Sequence, residues 1–309
     1  MMKNFSLGID TSCYTTSLAI VDNSGKIVLD ERIPLYVKQG QRGLRQSEAF
    51  YQHVLNLPKL FEKASIYSDS ITSLSASGKP RNLPESYMPV FTAGTAFAKT
   101  VSSMLSLPLN LFSHQDGHIY SVLPESGIDE KFPFYAVHLS GGTAEIMRVY
   151  IQNGRISTEI VGGSLDITAG QLLDRLGVRL GHSFPSGKAL DEIAYEGKSD
   201  SSYRISVKGG YFNLSGVENM YEKDILSGMD ASEIIHKTFK CISETLSKSF
   251  DNLKITGEPV LMTGGVSASR FLKNALSDKC GSIHFGPACL CTDNAVGIAR
   301  MGIKLSGAD

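Results

Sequence analysis

The sequence has no surplus of either charge: 30 Lys and Arg stand against 31 Asp and Glu, a formal net charge of −1. A chain so balanced carries no global footprint for a polyanion, so any RNA substrate needs a local patch or a partner's help. Nor does cysteine supply a framework. The five cysteines (Cys13, Cys241, Cys280, Cys289, Cys291) are odd in number and scattered, implying neither a disulfide scaffold nor a zinc ribbon. Cys289 and Cys291 have the wrong spacing for a zinc knuckle and read as strand residues in a reducing compartment. No apolar run reaches the roughly 18 residues of a membrane span. The start, Met1-Met2-Lys3-Asn4-Phe5, passes into a strand pattern without an apolar secretory core. The expectation is a cytoplasmic protein with no membrane partner. An HExxH helix is also missing, and with it the usual ligand set of a zinc peptidase.

Against these absences stands Ser113-His114-Gln115-Asp116-Gly117-His118. Imidazoles four residues apart on a helix project from one face and can chelate one ion. Ser113 and Asp116 have the spacing of a capping box, which starts a helix at His114 and puts both histidines in its first turns. Alone, the pair also fits two partly exposed histidines on an amphipathic helix; a third ligand decides between the readings. Asp293, in Cys291-Thr292-Asp293-Asn294 before a helix over 295–305, is the best available. Thr292 or Asp293 as a simple helix cap is the alternative. Two histidines and a carboxylate leave open positions for substrate oxygens and suit Fe(II) or Zn(II).

At 309 residues with 42% hydrophobic side chains, the chain can bury two cores. Strands over 5–9 and 17–21 flank the polar turn Asp10-Thr11-Ser12-Cys13-Tyr14-Thr15-Thr16, and a third strand at 27–29 makes an antiparallel meander. Such a turn is an ordinary hairpin tip or a phosphate cradle with an Asp for metal or water. A loop over 38–43 leads to a helix over 47–64, whose His53 reads as structural because nothing chemical flanks it. Strand 71–76, a proline-stiffened loop with Lys79 and Arg81, helix 92–105 and strand 108–112 follow. The two cations are either surface charges or a grip on an anionic ligand. The opening pattern then recurs: strand 134–139, turn Ser140-Gly141-Gly142-Thr143, strand 144–149, turn Asn153-Gly154.

Residues 164–197 read as largely helical with a break at 184–187, placing Asp166, Asp174 and Asp191 on helices or helix ends as solvated carboxylates. Residues 211–220 read as irregular, and 231–246 as an amphipathic helix. A buried strand at 259–263 runs into Gly264-Gly265-Val266-Ser267-Ala268-Ser269 and a helix over 270–276, a turn that lets backbone lie flat on a ring or phosphate. Two phosphate-type turns facing across a cleft are how the actin, sugar kinase and heat-shock ATPase superfamily holds a nucleotide.

With these pieces the chain resembles, nearly end to end, the tRNA threonylcarbamoyladenosine transferase family, formerly labelled O-sialoglycoprotein endopeptidase. Gly8-Ile9-Asp10-Thr11-Ser12-Cys13 is similar to its opening turn, His114 to His118 to its metal helix, and Thr292-Asp293-Asn294 to its C-terminal motif. The resemblance implies an α/β, two-domain actin-like (duplicated ribonuclease H-like) fold with a nucleotide cleft. The expected division is 1–124 and 125–294, with the helix over 295–309 returning to the first domain. It implies His114, His118 and Asp293 as ligands of a divalent metal, Fe or Zn, with Mg accompanying a nucleotide. Asp10, Thr11, Ser12, the turn Ser140, Gly141 and Gly142, then Asp174, Gly187, Asp191, Gly264, Gly265 and Ser269 become the sites for ATP, AMP or an acyl-adenylate.

The implied reaction moves a threonylcarbamoyl group from its adenylate to the amine of the tRNA adenosine 3′ of the anticodon, with no protein nucleophile, so Cys13 need not react. An actin-like partner subunit or a homodimer is the implied assembly. There are departures: Thr143 and Ala144 replace His-Thr, Ser269 replaces Asn, and Lys79-Pro80-Arg81 replaces Gly-Pro-Gly. They mark a divergent paralogue. Two rival readings are a carbamoyltransferase acting on a small molecule, with Lys79 and Arg81 as its new anion contact, and a non-catalytic nucleotide-binding partner subunit.

Overall fold

A computed structural model describes residues 4–12, 14–38, 43–277 and 282–306. Met1 to Lys3, Cys13, Gln39 to Arg42, Cys280 and residues 307–309 of the expected last helix lie outside the described residues.

The first half runs β1 (Phe5–Thr11), β2 (Thr15–Asp22), β3 (Ile27–Pro34), α1 (Gln46–Ala64), β4 (Ile71–Lys79), α2 (Phe91–Leu105), β5 (Leu109–Ser113) and α3 (His114–Ser126). Its sheet has the order β3-β2-β1-β4-β5. β1, β2 and β3 pair antiparallel, while β1, β4 and β5 are parallel neighbours. The second half runs β6 (Phe134–Leu139), β7 (Ala144–Gln152), β8 (Arg155–Ser164), α4 (Ala169–Arg179), α5 (Gly187–Glu196), β9 (Val207–Lys208), β10 (Gly210–Phe212), α6 (Ser215–Leu226), α7 (Ala231–Leu253), β11 (Val260–Thr263), α8 (Arg270–Ser277), β12 (Ile283–Phe285) and α9 (Ala288–Cys291). Within its sheet, β12-β11-β6-β7-β8-β10-β9, the run β8-β7-β6-β11-β12 repeats the first pattern of an antiparallel meander followed by two parallel strands. The architecture is a duplicated α/β, actin-like fold.

The last helix, α10 (Val296–Ser306), returns to the first sheet. Small residues make that possible. A Cβ on Gly8 would sit 2.5 Å from the Ala299 nitrogen, and one on Gly297 would overlap the Gly117 carbonyl, so α10 lies against both β1 and α3 at backbone contact. The core between the halves draws Val21, Phe112, Ile119, Val122, Ala136, Met147 and Ile298 from both sheets and both helices. The metal-type helix and the turn before α10 are therefore held by packing from both sides.

Three elements differ from the sequence reading. Cys289 and Cys291 are not in a strand but on α9, which follows Pro287; Leu290 and Cys291 are buried while Cys289 is exposed. Residues 211–220 are not irregular: β10 adds to β8 in parallel and α6 starts at Ser215. Its start is invisible locally because the cap is remote, Asp166 accepting from the backbone N–H of Leu214 at 2.8 Å and of Ser215 at 3.1 Å. Asp166 itself lies in the loop between β8 and α4; β8, unseen in the sequence, ends at Ser164, the first residue of the stretch read as helical.

Candidate metal centre

Helix α3 begins with the expected box. The Ser113 hydroxyl accepts the Asp116 N–H at 3.1 Å, and Asp116 accepts the Ser113 N–H at 3.0 Å. Asn82 from the loop after β4 donates to both Asp116 oxygens at 2.7 Å, fixing that turn from outside. The rings of His114 and His118 then meet, with Nε2 to Nε2 at 3.0 Å. Asp293 Oδ1 lies 3.3 Å from His118 Nε2 and 3.8 Å from His114 Nε2. Among the described residues this is the only group of three His, Cys, Asp or Glu side chains converging in this way, with ligand atoms all within 4.8 Å of one another. Metal–ligand bonds of about 2.0 Å give tetrahedral edges of about 3.3 Å, which the three separations approach. Two imidazole nitrogens aimed at one point beside a carboxylate fit a divalent transition ion.

Each arm of the set is braced. Asp10 Oδ1 lies 2.9 Å from His114 Nδ1, and the Ser12 hydroxyl donates to Asp293 Oδ2 at 3.1 Å. Arg32 on β3 holds the backbone that carries Asp293, donating from Nη1 to the Cys289 carbonyl at 2.7 Å and to Thr292 Oγ1 at 2.9 Å. The cap of α10 falls to neither Thr292 nor Asp293: Asn294 Oδ1 accepts the Val296 N–H at 2.9 Å, leaving the Asp293 carboxylate for the histidines. Burial opposes charge on His114, but the Asp10 and Asp293 carboxylates outweigh it and push its pKa up to about 9. Burial would raise Asp293, yet His118, His114 and Ser12 hold it well below the usual carboxylate range. Burial and the neighbouring His114 charge push the His118 pKa down, against the pull of the Asp293 carboxylate.

The other expected site residues fall into separate groups. Thr11 is buried, donating to the Val90 carbonyl at 3.2 Å and accepting the Gly94 N–H at 3.1 Å, which anchors α2 to the turn. His53 is structural, with Nε2 on the Ser12 carbonyl at 2.8 Å and Nδ1 on Thr16 at 2.8 Å. In the second turn the Ser140 hydroxyl accepts the N–H groups of Gly142 and Thr143, and nothing crowds a Cβ at Gly141 or Gly142. That turn abuts the start of α4, where Thr168 donates to the Gly141 carbonyl at 3.0 Å.

Asp174 accepts the Ser186 N–H at 2.7 Å, and burial raises its pKa; Gly187 beside it is open. Asp191 is not a solvated carboxylate. It accepts from the Ser269 hydroxyl, from the Arg270 N–H at 2.9 Å and from the Phe271 N–H at 3.2 Å, holding the start of α8. Gly264 adopts φ +89°, and a Cβ there would strike the Leu139 carbonyl, whereas Gly265 is open. Lys79 ends β4 opposite Ser113; burial raises the pKa of Asp116, and the Lys79 charge only partly opposes that rise. Arg81 reaches across to β7, with Nη2 2.9 Å from Glu145 Oε1, while Gln115 donates to the other Glu145 oxygen at 2.8 Å.

Sequence reasoning passed over His138, Glu145 and Arg32. His138 directly precedes Leu139 and the Ser140 turn, the one local signal available; the other two are placed by contacts with no sequence mark.

A family model described as tRNA N6-adenosine threonylcarbamoyltransferase matches residues 86–300. The chain is 30% identical to the tRNA N6-adenosine threonylcarbamoyltransferase of a Sulfurihydrogenibium species, over 96% of this chain and 89% of the relative. It is 26% identical to that of Neorickettsia sennetsu, over 98% and 94%. In structure it is similar to HypF of T. kodakarensis, TM-score 0.65 at 13% identity, over 99% of this chain and 48% of HypF. It is also similar to component A of the (R)-2-hydroxyglutaryl-CoA dehydratase of Acidaminococcus fermentans, TM-score 0.62 at 17% identity, over 97% and 98%. The activator of the 2-hydroxyisocaproyl-CoA dehydratase of Clostridium difficile, solved with bound ADPNP, aligns at TM-score 0.58 and 16% identity over 97% and 94%.

Proposed function

The chain belongs to the tRNA N6-adenosine threonylcarbamoyltransferase family, and from that premise we propose that it transfers threonylcarbamoyl from its adenylate to a tRNA adenosine at the His114–His118–Asp293 centre. The observation that carries this reading is the convergence of those three side chains, one from each of two turns of α3 and one from the segment before α10. A divalent ion held there supplies Lewis-acid polarisation of a substrate oxygen. The rest belongs to the protein. Asp10 orients His114, and Ser12 and Arg32 orient Asp293. Open backbone at Gly141 and Gly265 offers N–H groups to phosphate or acyl oxygens, while the N–H of Gly142 is taken by Ser140.

The nucleotide sits, in this reading, between the turns at Asp10 to Ser12 and Ser140 to Gly142, with Gly264 and Gly265 beside the adenine and Asp174, Gly187 and Asp191 towards the ribose or acyl group. Asp191 has to exchange its hold on Ser269 for a ligand hydroxyl, or act through Ser269. Arg81, oriented by Glu145, contributes a cation from the other half, with Lys79 behind it. The domain boundary is placed at 124/125, with α10 counted to the first domain. Balanced charge supports a need for an actin-like partner subunit, or a second copy, in gripping tRNA. Among the described residues no helix is long and apolar enough to cross a membrane; action on tRNA supports a cytoplasmic setting. Fe and Zn both suit the donor set.

The test is to incubate the metal-loaded protein with threonylcarbamoyl-AMP and unmodified tRNA, with and without an actin-like partner subunit, and to measure modified adenosine. Product that disappears in the Asp293→Ala variant is expected. No product under either condition, with adenylate still bound, would transfer the assignment to a small-molecule acceptor.

A further inference from the structure

The two metal-facing imidazoles are not braced alike. His114 has its outer nitrogen, Nδ1, on Asp10 at 2.9 Å. His118 has its own Nδ1 buried without any partner. A histidine that binds an ion through Nε2 carries its proton on Nδ1, and such ligands almost always donate that N–H to a carboxylate, carbonyl or water. The ring of His138, on β6, lies against His118 with centroids 4.5 Å apart and planes 49° from parallel. Both nitrogens of His138 are likewise buried and without a partner, and the residue is 3% exposed. Three of the eight buried unpartnered side-chain atoms among the described residues thus belong to two rings in contact.

Of the alternatives, the other ring against His118 is His114, whose two nitrogens are already engaged. Arg148 Nε, also unpartnered, has no acceptor to offer. An uncharged imidazole has one donor and one acceptor nitrogen. Gly264, where a Cβ would sit 2.6 Å from His138 Cδ2, gives the ring the space it occupies.

We propose that His138 is a positioning residue for the metal centre: on metal binding its ring turns to accept the Nδ1–H of His118, as Asp10 does for His114, and so fixes His118 with Nε2 towards the ion. The inference rests on the metal-centre reading above. His138 is not among the three residues whose ligand atoms converge, which places it behind the ligand set.

The experiment uses the full chain, stripped with chelator and titrated with Co(II), read by calorimetry and by the visible absorption of the bound ion. His138→Leu is expected to weaken Co(II) binding about 10- to 100-fold, the usual effect of losing an outer partner. The spectrum at saturation is expected to match the wild type, and metal-free thermal stability not to fall. His138→Asn or His138→Gln, whose amide oxygens stand where one or the other ring nitrogen was, is expected to recover most of the affinity. Unchanged affinity in His138→Leu overturns the proposal. A changed saturated spectrum also overturns it, because His138 is then a donor to the ion. Co(II) binding equal in wild type, His118→Ala and Asp293→Ala overturns the metal-centre reading itself and the inference with it.

Discussion

Asp10 Oδ1 stands 2.9 Å from His114 Nδ1, although the two residues are 104 positions apart. The first strand of the fold therefore decides which nitrogen of His114 faces the site. With Nδ1–H held by Asp10, Nε2 is the nitrogen turned towards Asp293 and His118, and it is the one that gives up its proton to bind an ion. Replacing Asp10 by Asn offers the ring a choice of donor or acceptor, and the expected result is a 10- to 100-fold loss of Zn(II) affinity with the fold intact. Calorimetric titration of both proteins measures it, and equal affinities would show that the carboxylate does not orient the ring.

The raised pKa of His114 gives a pH dependence with a definite sign. Its value in the metal-free fold is about 9, above the ordinary 6.5. A raised basic group contributes stability that is complete below the unfolded pKa and lost as pH rises through the folded one. Metal-free protein is expected to lose stability between pH 6.5 and 9, and Asp10→Asn to flatten that slope. Denaturant titrations at several pH values read both, and parallel slopes would contradict the assignment. Metal displaces the same proton, so uptake below pH 9 should release protons to the buffer.

Arg81 separates two kinds of effect. Its guanidinium binds Glu145 and is about one-third exposed, so as an ion pair it contributes little to stability, on the order of 1 kcal/mol or less. As a contact to an adenylate it contributes more. Arg81→Ala is expected to weaken AMP or acyl-adenylate binding about tenfold or more, from a charge-assisted contact of about 1.5 to 3 kcal/mol. Wild-type affinity in the Lys79→Ala/Arg81→Ala double variant would remove both cations from the binding site.

Gly297→Ala tests the crossing of α10 and α3. The added methyl would overlap the Gly117 carbonyl, and overpacking of this kind costs about 1 to 3 kcal/mol. Because Gly297 follows Asp293 closely, the variant should bind metal more weakly as well as unfold at lower denaturant. Loss of stability with unchanged metal affinity would mean that the turn carrying Asp293 is independent of the helix.

Much of this was legible in the sequence because the signals are local. Helix α3 declares itself by Ser113 and Asp116 three residues apart, and its histidines share a face by helical geometry alone. The first meander, the β6–β7 pair and the Gly264 turn follow from strand patterning and glycine, whereas β8 carried no such mark. Asp293 was the best available third ligand but also read as a helix cap, and the resemblance decided between the two; Asn294 takes the cap. What stayed hidden is what distant residues impose. The start of α6 is capped by Asp166, 49 residues upstream of Ser215. Asp191 looks like a helix-face carboxylate until α8 arrives to occupy it. His138 sits in an apolar strand whose alternation says nothing of a neighbouring ring.

The distance along the chain between Ser12 and Asp293, 281 residues, also orders events in the life of the molecule. A chain made from its N-terminus exposes the first meander and both histidines of α3 long before Asp293. Their carboxylate partner emerges only after the whole second sheet. Until then an ion taken up by the histidine pair would lack its third bond and exchange freely, so secure loading waits for synthesis to pass Asp293 and for α10 to dock.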